Sequence, residues 1–144
     1  MKIAICGSIA FAPEMGEIAK ELENKGHEVH LPFYAMKILK GEVSYEDFMK
    51  EKETSGDAKF REEAEVDLIK RYFNLINEDD AILVLNLDKK GVKNYIGGNT
   101  LIEMGFAYVL DKKIFLYNPI PEMSYTDEIK AMKPVVINGD LLKL

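Results

Sequence analysis

The run Ala81-Ile82-Leu83-Val84-Leu85 is apolar at every position, with no alternation and no breaker. A strand with one wet face alternates; a strand covered on both faces does not, and the sheets covered on both faces are parallel ones wrapped in helices. Lys2 to Cys6 repeats the pattern in short form. Between these runs, Met15, Ile18, Ala19 and Leu22 fall three and four apart, as one buried helix face requires. Pro13 suits its first turn and Gly26 its left-handed end. His27 to Leu31 alternates as a second strand, which Pro32 stops.

The remaining elements follow the same grammar. Asp57 to Glu78 reads as a long helix, with Ala64, Leu68, Tyr72, Leu75 and Ile76 on one face. After the third strand come a helix opening near Asn99-Thr100, closed by the cations of Asp111-Lys112-Lys113, and a fourth strand over Ile114 to Tyr117. A short helix over Tyr125 to Met132 and a fifth strand over Pro134 to Ile137 complete the pattern. Strands alternating with helices predict an α/β flavodoxin-like three-layer sandwich, and right-handed crossovers give a five-stranded parallel sheet in the order 2-1-3-4-5. Residues 33–60 are charged, with Ser44 as a helix cap, and are expected to form an exposed helical excursion, with a lid or a dimer contact as the alternatives. A chain of 144 residues is expected to be one domain spanning 1–144.

Composition narrows the partners. A net charge of −6 without a basic stripe argues against nucleic acid. One cysteine excludes an internal disulfide and a cysteine metal cluster, and no apolar run approaches membrane-spanning length. The start lacks a signal-peptide pattern, so the expected location is the cytoplasm. His27 and His30 bracket a strand and are not expected to bind metal, so neither a metal nor an organic cofactor is implied.

In a 2-1-3-4-5 sheet the direction of winding reverses between strands 1 and 3, and ligands bind outside the carboxyl ends there. That rule brings Gly7, Ser8, Ile9 and Phe11 on the first loop to face the stretch from Asn86 to Asn99. Gly7-Ser8-Ile9 can present N–H groups to a phosphate or a base edge, or be a plain turn; it matches neither a dinucleotide fingerprint nor a P-loop. Gly97-Gly98-Asn99 can form an anion nest or a flexible turn, and Asn94 and Tyr95 beside it can touch a ligand or close the loop. Asn86, Tyr95, Gly97, Gly98 and Asn99 are therefore candidate substrate-binding residues with the first loop. Glu103 has two readings: the N3 carboxylate of a capping box begun by Thr100, or an ionised nucleophile in the cleft, with Asp88 sharing the work as general acid. Asp79-Asp80 enters strand 3 at its far end.

With those residues in place, the chain resembles the nucleoside 2-deoxyribosyltransferase superfamily, including the deoxynucleoside 5′-monophosphate N-glycosidases. The matching parts are Ile5-Cys6-Gly7-Ser8-Ile9, Asp80-Ala81-Ile82-Leu83-Val84, and Asn99-Thr100-Leu101-Ile102-Glu103-Met104-Gly105-Phe106-Ala107. The resemblance implies a flavodoxin-like fold, Glu103 as the nucleophile at the sugar's anomeric carbon, a nucleoside or nucleotide substrate, and a homo-oligomer whose neighbour completes the site. Two features depart from the family pattern. Its Asp on the helix before strand 3 falls here near Tyr72-Phe73, and its Gly- and Arg-rich first loop is here Ala10-Phe11-Ala12-Pro13. Residues 33–60 and the tail lie outside the resemblance. The expected activity is N-glycosidic bond cleavage or base exchange; the alternative is a non-catalytic nucleotide-binding module using the same cleft. A structural subunit binding a protein through Glu42 to Glu65 is a third, weaker alternative.

Overall fold

A computed structural model of the protein describes residues 1–55 and 67–144. β1 (Lys2–Cys6) leads through a 3-10 turn (Ile9–Phe11) into α1 (Ala12–Asn24), then β2 (Glu28–His30), α2 (Phe33–Leu39) and α3 (Tyr45–Ser55). α4 (Leu68–Glu78), β3 (Ala81–Val84), α5 (Gly98–Val109), β4 (Lys113–Leu116), α6 (Thr126–Ala131), β5 (Val135–Val136) and a closing 3-10 turn (Leu141–Lys143) follow. The sheet has the order β2-β1-β3-β4-β5, and every pairing is parallel. The fold is flavodoxin-like.

Strand alternation sorts the core into two layers. Ile3, Ile5, Ala81, Leu83 and Phe115 face α1, whose Met15, Ile18 and Leu22 cover them. Ala4, Cys6, Ile82, Val84, Ile114 and Leu116 face the other way, under Tyr72 and Ile76 of α4, Met104 and Ala107 of α5, and Ile129 of α6. Ala81 to Val84 have no exposure on either face, which is why their sequence shows no alternation.

Several boundaries differ from expectation. β2 and β5 are shorter than the sequence implied, because each is an edge strand paired on one side only. The helix expected from residue 57 begins at Leu68: Asp67 is extended, and its side chain accepts from the Lys70 N–H as an N-cap. The expected positions 57–66 lie outside the described residues, as does much of the acidic stretch 42–65. α5 starts at Gly98, capped by Gly97, not at Asn99 or Thr100. No cation closes its last turn; Asp111 turns left-handed there (φ 57°), and the Lys112 N–H donates to the Ala107 carbonyl at 2.9 Å.

The segment expected to be exposed instead carries Ala35 and Phe48 inside. The Tyr45 hydroxyl donates to the Ala10 carbonyl at 2.6 Å, and the Tyr34 and Phe48 rings lie 5.1 Å apart. α2 and α3 thus form a wall over the carboxyl ends of β1 and β2. Among the described residues no helix is long and apolar enough to cross a membrane.

The two central strands come together at their carboxyl ends. The Leu85 N–H donates to the Cys6 carbonyl at 2.8 Å, and the chain then turns at Gly7, whose φ is +157°. A Cβ at position 7 would stand 2.9 Å from the Leu85 carbonyl oxygen and 3.1 Å from the Met15 side chain, so only glycine allows this approach.

Candidate active site

At the point where the winding reverses, a cavity of about 340 Å³ opens. That volume suits one small ligand. Its walls come from five places in the chain. Gly7, Ser8 and Ile9 of the first loop, and Tyr95, Gly97, Gly98 and Asn99 before α5, meet across it. α5 adds Thr100, Ile102, Glu103 and Phe106. α4 contributes Leu68, Ile69, Arg71 and Tyr72, and the α2–α3 wall contributes Phe33, Tyr34, Phe48 and Lys52.

Glu103 sits in the second turn of α5. With Gly97 as cap, the carboxylate is three residues beyond the capping-box position, so the local backbone bond to residue 100 is not its role. It lines the cavity, half-buried, with its Oε2 atom out of solvent. Cys6, at the end of β1, is buried near it. Burial pushes both the Cys6 thiol and the Tyr72 hydroxyl well above their ordinary values, and the nearby Glu103 carboxylate raises each further. Burial therefore favours the neutral forms of Tyr72 and Cys6.

The remaining polar groups suit an anion or a polar ligand. Lys89 reaches back from the strand-3 loop, its Nζ donating to Ser8 Oγ at 2.8 Å and lying 5.1 Å from the centre of the Tyr95 ring. Ser8 Oγ also accepts from the Ala10 N–H, capping the 3-10 turn. First-turn amides of α5 have no partners within the helix and carry its positive end. Gly98 meets nothing where a side chain would stand, so the backbone there is open to a ligand. Arg71 lies with its guanidinium 5.2 Å from the Phe33 ring centre.

Three expected site residues are placed elsewhere. Phe11 is 5% exposed and belongs to the core beneath α1, because the 3-10 turn points it inward. Asp88 does not line the cavity; its Oδ1 accepts from the Asn94 N–H at 2.9 Å and closes the loop. Asn86 has no exposure and clamps β3 to β4. Its amide donates to the Asn118 and Pro119 carbonyls, both at 3.0 Å, its Oδ1 accepts from the Asn118 N–H at 2.8 Å, and its carbonyl accepts from Asn118 Nδ2 at 3.1 Å.

Conversely, the sequence reading passed over Lys89, Arg71, Lys52 and the aromatics of α2 and α3. Phe33-Tyr34 directly after the second strand's carboxyl end, and Lys89 in the loop after the third's, were the available signals. Among the described residues no group of three or more His, Cys, Asp or Glu side chains could hold a metal. His30 is taken up by Asp79, its Nδ1 lying 3.0 Å from both carboxylate oxygens, at the other end of β3.

No protein-family model matches the chain, and no curated protein does. A solved structure of the CMP N-glycosidase BcmB from Clostridium botulinum aligns with 96% of this chain and 90% of that one, at 18% identity and a TM-score of 0.47. In structure, this chain is similar to that enzyme. At that level of likeness, what the cavity does has to be read from this chain's own side chains.

Replacing Asn86 by Ala should lower stability by about 2–4 kcal/mol, since Asn118 and Pro119 lose partners in a partly buried place. Urea unfolding should show a lower midpoint with an unchanged slope. An Asn86 that served only to touch ligand would leave the midpoint where it was.

Proposed function

We propose that this protein cleaves the N-glycosidic bond of a nucleotide or nucleoside, by hydrolysis or by base exchange, with Glu103 as the nucleophile. The observation that carries this reading is the position of the Glu103 carboxylate. It stands in the wall of a closed-ended cavity at the sheet's crossing point, among aromatic rings that suit a planar base and cations that suit a phosphate. The resemblance of residues 99–107 to the 2-deoxyribosyltransferase motif assigns the same role to the same residue.

The chemistry is a double displacement. A Glu103 oxygen attacks the anomeric carbon; the bond from that carbon to the base nitrogen breaks, and its electron pair leaves with the base, which takes up a proton. The sugar is then held as an ester of Glu103. Water, giving up a proton, or the nitrogen of a second base attacks the same carbon, and the carboxylate is released. Because Asp88 is committed to the Asn94 N–H, the first proton is assigned to solvent entering the open side of the cavity and not to Asp88.

Of the two substrate classes, the cations favour the phosphorylated one. Lys89 beside Ser8 stands where the first loop lacks an arginine. A 5′-phosphate there leaves the sugar toward Glu103 and the base among Phe33, Tyr34 and Phe48. The same reading includes a homo-oligomer, for which exposed Ile69, Ile102, Tyr108 and Val109 on α4 and α5 provide apolar surface.

Two substitutions test it on one panel of nucleosides and their 5′-monophosphates, with free base measured by chromatography. Glu103→Gln should lower kcat by at least about a thousandfold, as loss of a covalent nucleophile does. Unchanged turnover would reject the assignment, and melting-temperature shifts without product in the parent protein would instead favour the pure binding module. Lys89→Met should raise KM for the monophosphate by about tenfold, the equivalent of about 1.4 kcal/mol, while leaving the nucleoside's within about twofold; equal effects on both would remove Lys89 from the phosphate.

A further inference from the structure

Two cations stand against the Phe33 ring, and they are not equivalent. Lys37 Nζ lies 5.0 Å from the ring centre, and the same Nζ is ion-paired with Glu42 at 3.9 Å. The Arg71 guanidinium lies 5.2 Å from that centre, and Arg71 lines the cavity while Lys37 does not. Among the described residues no carboxylate pairs with Arg71. The start of α4 fixes its position. The Arg71 N–H donates to the Asp67 carbonyl at 2.8 Å, and the Asp67 carboxylate is turned to the Lys70 N–H at 3.0 Å, as the helix cap. Lys89, the cation assigned to a phosphate, stands on a different wall, with Ser8 and Tyr95. Arg71 is therefore a cavity cation with an aromatic neighbour and a role the phosphate does not fill.

We propose that Arg71 is a specificity-determining residue that reads the edge of the base, and that it selects bases with a carbonyl oxygen beside a ring nitrogen bearing no hydrogen. This role rests on the proposed function, which seats the base among Phe33, Tyr34 and Phe48. A guanidinium has five N–H donors in a planar fork and no acceptor. Contact with the Phe33 ring restricts the side chain, so less freedom is lost when the fork meets a ligand. The fork is matched by two acceptors side by side. Guanine and hypoxanthine offer O6 with N7, the edge on which arginine reads guanine in nucleic acids. Cytosine offers O2 with N3. Adenine sets an amino group beside N7, and uracil sets an N3–H beside each carbonyl, so both turn a donor against the fork. A site that supplies only donors discriminates against such bases, because its own groups then lose their partners.

Two pairs of 5′-monophosphates isolate that edge: inosine against adenosine, and cytidine against uridine. A fork fixed in one place suits one ring size, so the parent protein should favour the first member by about tenfold or more in kcat/KM in one of the two pairs. Arg71→Met should bring that ratio to within about threefold of one. Arg71→Lys keeps the charge without the planar fork and should lose the preference as well. Arg71 is exposed, and methionine and lysine are good helix formers, so both variants should fold. A preference that survives in either variant, or a parent with no preference in either pair, would overturn the inference while leaving the glycosidase reading intact. So would an Arg71→Met protein that loses monophosphates relative to nucleosides whatever the base, since the arginine would then hold the phosphate. A parent that releases no base rejects the glycosidase reading, and the same two pairs are then read as melting-temperature shifts. A ranking of shifts abolished by Arg71→Met would support base reading in a binding site, and shifts without that ranking, or no shifts at all, would reject it too.

Discussion

The cavity depends on a close approach between two strand ends. β1 and β3 are neighbours, bonded through the Cys6 carbonyl and the Leu85 N–H, and Gly7 passes so near the Leu85 carbonyl that no side chain fits. Everything in the cavity is hung from this junction. The first loop leaves it on one side and carries Ser8 and Ile9; the strand-3 loop leaves it on the other and returns Lys89 to Ser8 before delivering Tyr95 and the two glycines to the start of α5. A parallel sheet with its winding reversed at that pair of strands leaves an opening there by geometry alone, and Gly7 lets the two strand ends come this close.

The cavity combines two environments that a glycosyl transfer needs. Its outer wall is aromatic, from α2 and α3, with Arg71 against the Phe33 ring. Its inner end carries the Glu103 carboxyl group, with Oε2 out of solvent, and the buried Tyr72. In the proposed reaction charge develops on the sugar when the bond to the base breaks, and a carboxylate in the cavity wall would stabilise it. Tyr72 puts an aromatic ring, not a second carboxyl group, in the buried space near Glu103; two acids that close would compete for one proton.

How much of this could be read from the residues alone follows from where each signal comes from. Ala81 to Leu85 and Lys2 to Cys6 were plain because burial on both faces removes polar residues, and the strand order followed from crossover handedness. β2 and β5 were overextended because edge strands are short and their ends carry no burial signal. The excursion at 33–55 was misread as exposed because its many charges outweigh Ala35, Tyr45 and Phe48, which anchor it. Glu103 was named as a candidate and lines the cavity, but its direction was not legible: Asn99 and Thr100 were the caps the sequence offered, the helix is capped by Gly97, and the cap separates a backbone-bonded carboxylate from one facing a cavity. Phe11, Asn86 and Asp88 sit within a residue or two of the true walls. Local packing alone decides that the first is core, the second a clamp and the third a loop closure.

The central claim is that a sugar is carried on Glu103 between departure of the base and its replacement. It is tested most directly by digesting and weighing the protein after reaction with a nucleoside 5′-monophosphate whose sugar bears fluorine beside the anomeric carbon, which slows release of the intermediate. The account predicts one equivalent of free base and a sugar-phosphate mass on the peptide containing Glu103, absent from Glu103→Gln. Base released in full with no added mass, or the mass found on any other residue, would contradict it.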